Sequence, residues 1–176
     1  MDLSARYRYY QTIRRGCYQN VLASAEFGWL RDAGIVLEIA SEGCIQKVVK
    51  SWESDINWEA VLRSSNDYQP RNFDVSAYLG TELVGLAVGR VSKGKNIVRI
   101  DKLERKKSCR ELEGIFALLV IQIASDYAVR LGASSVRITE PRAELVDYLE
   151  RHGIGIFHKG GPNYPYDHVN VAVNGE

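Results

Sequence analysis

The chain has 176 residues, 45% hydrophobic and 26% charged, with a formal net charge of +1, which excludes wholesale disorder and allows one domain with a full core. No run approaches the ~18 consecutive apolar residues of a membrane span, and the opening MDLSARYRYYQTIRRGC holds no apolar export core. Cys17, Cys44 and Cys109 are too scattered for a disulfide framework or a CxxC pair, so the expectation is a cytoplasmic, reducing compartment and no membrane contact.

In chain order, the first thirty residues read as helical. Tyr7, Tyr10, Ile13, Cys17 and Val21 recur at three- and four-residue steps, and Arg8 and Arg15 fall on the other side. Such a basic, aromatic helix packs on the domain or meets a partner, a second copy of the chain included. After Asp32-Ala33-Gly34 comes a β-rich run, Ile35 to Ala40. Ser41 then offers an N-cap to a helix through Cys44, Val48, Val49 and Trp52. A second helical patch, Trp58 to Leu62, ends in the turn-rich SSNDYQPRN.

From Phe73 the period changes. FDVSAYLG, the Gly80-Thr81 turn and ELVGLAVGRVS predict an antiparallel hairpin, and a turn at Lys93–Asn96 leads to a third strand, IVRIDKLER. Residues 93–110 carry eight Lys/Arg against Asp101 and Glu104, whereas 32–92 and 111–176 are each acidic. That segregation marks either an anion site or a solvated strand end. Next, Leu112, Ile115, Phe116, Leu119, Val120, Ile123, Tyr127 and Leu131 keep helical spacing, closed by Gly132. SSVRITE predicts a buried strand and Pro141 opens a helix through Leu145, Tyr148 and Leu149 to Gly153. IGIFH, the loop KGGPNYPYD and HVNVAV end the chain as a strand pair.

The order β-α-α-β-β-β-α-β-α-β-β therefore stands behind an extra N-terminal helix. It predicts an α/β fold with a mixed, mostly antiparallel central sheet and one parallel βαβ crossover, Ile97–Arg105 to Ser135–Glu140. Residues 1–34 form a helical extension and 35–176 a single compact unit.

ELVGLAVGRV, IVRIDKLER, the long helix behind a basic loop, and AELVDYLERHGI resemble the GCN5-related N-acetyltransferase (GNAT) superfamily over roughly residues 35 to 173. The resemblance implies a GNAT-like acyltransferase domain that binds acetyl-CoA or another acyl-CoA between two splayed strands. Backbone groups of Leu103 to Arg105 would then meet the pantetheine, and the diphosphate would rest on the helix N-terminus. Arg110 matches the leading position of the family's Gln/Arg-x-x-Gly-x-Gly/Ala motif. Its small-residue positions fall on Glu113 and Ile115, with Gly114 between them. Glu111 and Glu113 are expected in the first helical turn, where their carboxylates serve the helix dipole. Arg105, Lys106, Lys107 and Arg110 remain as cations for a phosphorylated cofactor. They suit CoA, another anionic acyl donor or a nucleic-acid backbone alike.

For proton transfer, strand alternation puts Asp101 and Glu104 on opposite faces, each a candidate base or a partner of nearby Lys/Arg. The family's acid tyrosine, counted back from Gly153, falls on Leu149, and Tyr148 is one residue early, about 100° round the helix, a candidate displaced general acid or a partly buried helix tyrosine. Cys109, beside a helix N-terminus and Arg110, is expected to have a lowered thiol pKa or to be a half-buried structural thiol. His158 and His168 flank the last loop, and the resemblance makes Tyr164, Tyr166 and His168 candidates for the acceptor pocket. No Cys or His pair has zinc spacing, so no metal is expected. Two classes of function follow. One is an acyltransferase acting on an amine-bearing small molecule or protein. The other is a protein of this fold that lacks CoA binding and acts as a protein- or nucleic-acid-binding module, or an enzyme using a non-CoA donor.

Overall fold

The apolar stripes settle into helices and strands in the expected order. The computed structural model describes residues 2–66 and 70–173. Part of the expected turn, Asp67 to Gln69, lies outside the described residues, as do the side chains of Val49 and Leu62 and the last three residues of the chain. Helix α1 (Leu3–Ala23) and a short α2 (Gly28–Asp32) precede strand β1 (Ile35–Glu38). Helices α3 (Glu42–Ser51) and α4 (Trp58–Asn66) lead to strands β2 (Asn72–Leu79), β3 (Glu82–Val91) and β4 (Ile97–Arg105). Then come α5 (Phe116–Leu131), β5 (Ser135–Thr139), α6 (Ala143–Arg151), β6 (Ile156–His158) and β7 (His168–Ala172).

The strands form one sheet in the order β1-β2-β3-β4-β5-β7-β6. Only β4 and β5 are parallel, joined through α5, and every other pair is antiparallel. One face packs on α1 and α5 through a large cluster that includes Val21, Phe73, Ile100, Leu119 and Tyr127. The other face packs on α3 and α4 through Cys44, Val48, Trp58, Leu86 and Val88. No helix of the described residues is long and apolar enough to cross a membrane.

Two local features depart from simple periodicity. In β4 the register steps from Gly89↔Ile100 to Val88↔Lys102, so Asp101 is a bulge residue with no partner of its own in β3. A β-carbon on Gly89 would lie 1.8 Å from the Arg99 carbonyl oxygen, so the backbones meet there only because residue 89 is glycine. The bulge shifts the parity of alternation. Asp101 and Glu104, expected on opposite faces, both lie on the α3–α4 side: Asp101 with Arg90 and Arg99, Glu104 against Trp58 and Ser54.

The second feature is the start of α5. The apolar spacing begins at Leu112, but Gly114 takes a left-handed φ of +69° and breaks the helix there. The helix opens at Phe116 with Ile115 as N-cap, and no acidic residue sits in its first turn. Glu111 and Glu113 are therefore in the preceding turn, not in the helix. At the far end Gly132, at φ +71°, caps α5 by donating its N–H to the carbonyls of Ala128 and Val129.

The N-terminal helix is built into the same core. Tyr10, Cys17 and Val21 of the expected stripe are buried, while Arg8 and Arg15 stay exposed. Burial raises the Cys17 thiol to about 12. Arg14, one position off the stripe, is also buried. It donates to the Asn72 carbonyl (2.6 Å) and side chain (3.0 Å), and its Nε lies 3.8 Å from Asp74. Burial pushes the Asp74 carboxyl above its usual value, and the Arg14 charge and the Ala40 N–H act against that rise.

Candidate functional site

The parallel ladder between β4 and β5 runs only from Ile97↔Ser135 to Ile100↔Ile138. Beyond it β4 continues to Arg105 paired with β3 alone. β5 ends at Thr139, and Glu140 turns away with φ +49°, its N–H held by the Asp167 carbonyl at 2.8 Å. The two strands thus splay, and Leu103 to Arg105 present a free backbone edge. A cleft of about 180 Å³ opens at the splay, walled by Arg90, Arg99, Asp101, Lys102, Thr139, Glu140 and Tyr166, with Val61 and Ser64 of α4 above.

Asp101 sits in the floor, 3.0 Å from Arg90 Nε and 2.7 Å from Arg99 Nη2, and Thr139 donates to it at 3.4 Å. Two guanidinium groups occupy this carboxylate. Glu104 is further from chemistry: its Oε2 accepts from Trp58 Nε1 (2.7 Å) and Ser54 (2.6 Å), tying α4 to the sheet. Lys102 reaches across the mouth to Glu140 at 3.0 Å. A non-glycine residue in the left-handed region at a cleft is the type of strained backbone that clusters at working sites.

The final loop supplies the rim. The Tyr164 hydroxyl shares a hydrogen bond with Thr139 at 3.0 Å, and its ring meets Tyr166 and His168 edge-on at 5.6 and 4.9 Å. The guanidinium carbons of Arg99 and Arg137 lie 5.3 and 4.6 Å from the Tyr164 ring centre. His158 and His168 are register partners whose rings stack at 5.1 Å. The structure therefore gathers Tyr164, Tyr166 and His168 at one end of the cleft. Tyr148 is elsewhere: it packs against the main core and stacks on His152 at 4.1 Å.

At the other end, the turn from Lys106 to Ile115 connects the free edge of β4 to α5. Arg105 folds back on this turn and donates to the carbonyls of Lys106, Lys107 and Cys109 at 3.0–3.2 Å, with Glu113 at 3.4 Å. It staples the loop instead of facing outward. Lys106 pairs with Glu82 of β3, whereas Lys107 and Arg110 are exposed. Burial, with the neighbouring Glu111 carboxylate, raises the Cys109 thiol, contrary to the lowering expected beside a helix end. Its sulfur donates to Glu111 Oε2 at 3.4 Å.

A CoA ester fits these residues. The N-terminus of α5 has no side-chain cap and no carboxylate in its first turn; the Phe116 N–H is taken by the Leu112 carbonyl at 3.1 Å, and the N–H groups of Ala117 and Leu118 are the ones left to an anion. At Gly114 a β-carbon would meet nothing within 4 Å, leaving space where a diphosphate approaches. Of the small-residue positions, Glu113 is exposed and drawn toward Arg105, and Ile115 is half-buried against the main core.

Sequence reasoning passed over Arg90, Arg137, Thr139 and Glu140. Arg137 and Thr139 alternate in SSVRITE and so share a face, but the strand reads as wholly buried. For Glu140 no sequence signal exists, since its place depends on where β5 stops.

A seven-stranded sheet with one parallel pair that splays behind a β4 bulge, and a basic turn feeding the crossover helix, is the fold of the GCN5-related N-acetyltransferases. No protein-family model and no curated protein matches the sequence. Solved structures match the fold. Ard1 from Thermoplasma volcanium superposes with a TM-score of 0.60 at 14% identity, over 80% of this chain and 99% of that one. An acetyltransferase of the GNAT family from Staphylococcus aureus Mu50 gives 0.58 at 10% identity, over 80% and 99%. The PaiA N-acetyltransferase from Thermoplasma acidophilum, solved in complex with coenzyme A, gives 0.52 at 13%, over 78% and 98%.

Proposed function

We propose that this chain is an acyltransferase that moves an acetyl or related acyl group from a CoA thioester to an amine. The observation that carries the reading is the splay itself: an unpaired β4 edge joined by the basic turn Lys106 to Ile115 to a helix N-terminus with no side-chain cap. Leu103 to Arg105 offer backbone donors and acceptors to the pantetheine amides, as a further strand would. Ala117 and Leu118 offer N–H groups to the phosphates, Gly114 offers space, and Lys107 and Arg110 offer positive charge.

When bound, the thioester supplies an acyl carbon open to attack. The chain's part is to hold the amine near it and take its proton. Glu140 is the carboxylate we assign to that proton: it lines the cleft, is half exposed, and is paired among the described residues with Lys102 rather than with a buried arginine. Asp101 and Glu104 act structurally in this scheme, Asp101 by fixing Arg90 and Arg99 and Glu104 by anchoring α4. Tyr164, Tyr166 and His168 shape the acceptor end.

Thermal unfolding with and without saturating acetyl-CoA tests the reading, because a ligand of the native state alone raises its stability. The expected result is a rise in Tm that shrinks in Arg110→Glu. No shift with any CoA ester overturns the proposal.

A further inference from the structure

The sheet carries a row of like charges across its centre, just before the strands splay. Arg90 of β3 is the register partner of Arg99 in β4, and Arg99 is the register partner of Arg137 in β5, which in turn faces Asn170 of β7. Like charges set directly opposite one another on a sheet are destabilising, more so when part-buried, and the Arg90 and Arg99 side chains are only 21% and 17% exposed. Asp101 is the carboxylate that meets this row, and Arg90 and Arg99 both claim it. Arg137 has no carboxylate partner among the described residues. Its Nε donates to Asn170 at 2.9 Å, and its guanidinium faces the Tyr164 ring. The Nε of Arg99 is shielded from solvent and has no hydrogen-bond acceptor among the described residues. On Arg99 and Arg137, five N–H donors per guanidinium exceed what the neighbours named here accept.

We propose that Arg99 and Arg137, held by Asp101, Asn170 and the Tyr164 ring, form a seat for an oxyanion carried by the acceptor, so that the substrate is an amine bearing a carboxylate or phosphate group. This rests on the acyl-transfer reading for the word acceptor, but not for the seat. The Tyr164 ring is within cation–π distance of both guanidinium groups, while Thr139 joins Tyr164 to the Asp101 floor. Planar guanidinium forks match oxyanions in geometry as well as charge. The same row repels an acceptor that carries only positive charge, which sets the substrate class by exclusion as well as attraction. Glu140 and Lys102 stand at the mouth, so an oxyanion on the arginines leaves the amine end toward the splay.

The test is side-chain NMR of the full chain with ¹⁵N-labelled arginine, following the Nε–H signals during titration with sodium propionate and, separately, inorganic phosphate at constant ionic strength. The expected result is a saturable shift of the Arg99 or Arg137 signal with at least one anion, while exposed Arg8 and Arg151 do not move. Arg137→Gln should weaken that binding at least about tenfold. Response to propionate identifies a carboxylate and response to phosphate a phosphate ester. Absence of a saturable shift with both anions, or equal shifts at all arginines, overturns the inference. Oxyanion binding in a protein that acetyl-CoA fails to stabilise leaves the seat standing and overturns the acyl-transfer reading. Stabilisation by acetyl-CoA without oxyanion binding overturns this inference alone.

Discussion

Replacing Arg14 by methionine removes the cation that faces Asp74 and keeps most of the side-chain volume. Both groups are almost wholly buried, at 2% and 4% side-chain exposure, so the loss strands a carboxylate inside the core. Breaking a buried pair in this way costs about 3–5 kcal/mol. At about 2–4 °C per kcal/mol for a chain of this size, Tm should fall by roughly 6–20 °C. The sign of the pH dependence follows from Asp74. Burial already raises its folded pKa above the ordinary 3.8, and Arg14 opposes that rise. Without Arg14 the folded pKa climbs further. Stability is then fully present below the unfolded value and is lost as pH rises through the higher folded pKa. The deficit against the native protein should therefore be small near pH 4 and large near pH 7. Urea unfolding followed by circular dichroism at both values reads it. Arg14→Met combined with Asp74→Asn should recover much of the loss, since Asn keeps an acceptor for the Ala40 N–H. A deficit below about 1 kcal/mol, or one that does not change with pH, refutes the reasoning.

Two further outcomes follow from the site. Gly89→Ala should destabilise by more than about 3 kcal/mol, because its β-carbon collides with the Arg99 backbone and undoes the bulge. Gly114→Ala meets open space and should cost only about 1–2 kcal/mol of left-handed strain, so equal denaturation midpoints for the two would contradict this geometry. Glu140→Gln should lower kcat by about a hundredfold or more with little change in acetyl-CoA affinity. Unchanged kcat would remove Glu140 from proton transfer.

Element identity was largely legible because burial imposes period: the 3.6 repeat of Phe116–Leu131 and the alternation from Phe73 onward each have one face to hide. What failed was local. Leu112 and Ile115 continue the helical spacing but pack from a turn, since apolar contact does not require helical backbone and Gly114 breaks it. In IVRIDKLER the apolar parity changes between Ile100 and Leu103 across the polar pair Asp101-Lys102, which strict alternation passed over; the bulge there rests on the close approach of Gly89 on another strand. Nothing local marks Arg14 as buried, because its partner, Asp74, is 60 positions away in sequence. The site divides in the same manner. The basic turn and the loop tyrosines are local clusters and stood out, whereas the arginine row exists only once β3, β4 and β5 are in register.

The central claim is that the β4 edge and the α5 N-terminus together hold an acyl-CoA. Backbone amide NMR with acetyl-CoA titrated to saturation tests it most directly. The account predicts saturable shifts concentrated at Leu103 to Arg105 and at Gly114 to Leu118, with the amides of α1 and β1 unchanged. Shifts confined to the groove of about 570 Å³ between α1 and β1, lined by Arg15, Gln19, Val36 and Glu38, or no saturable shift anywhere, would contradict it.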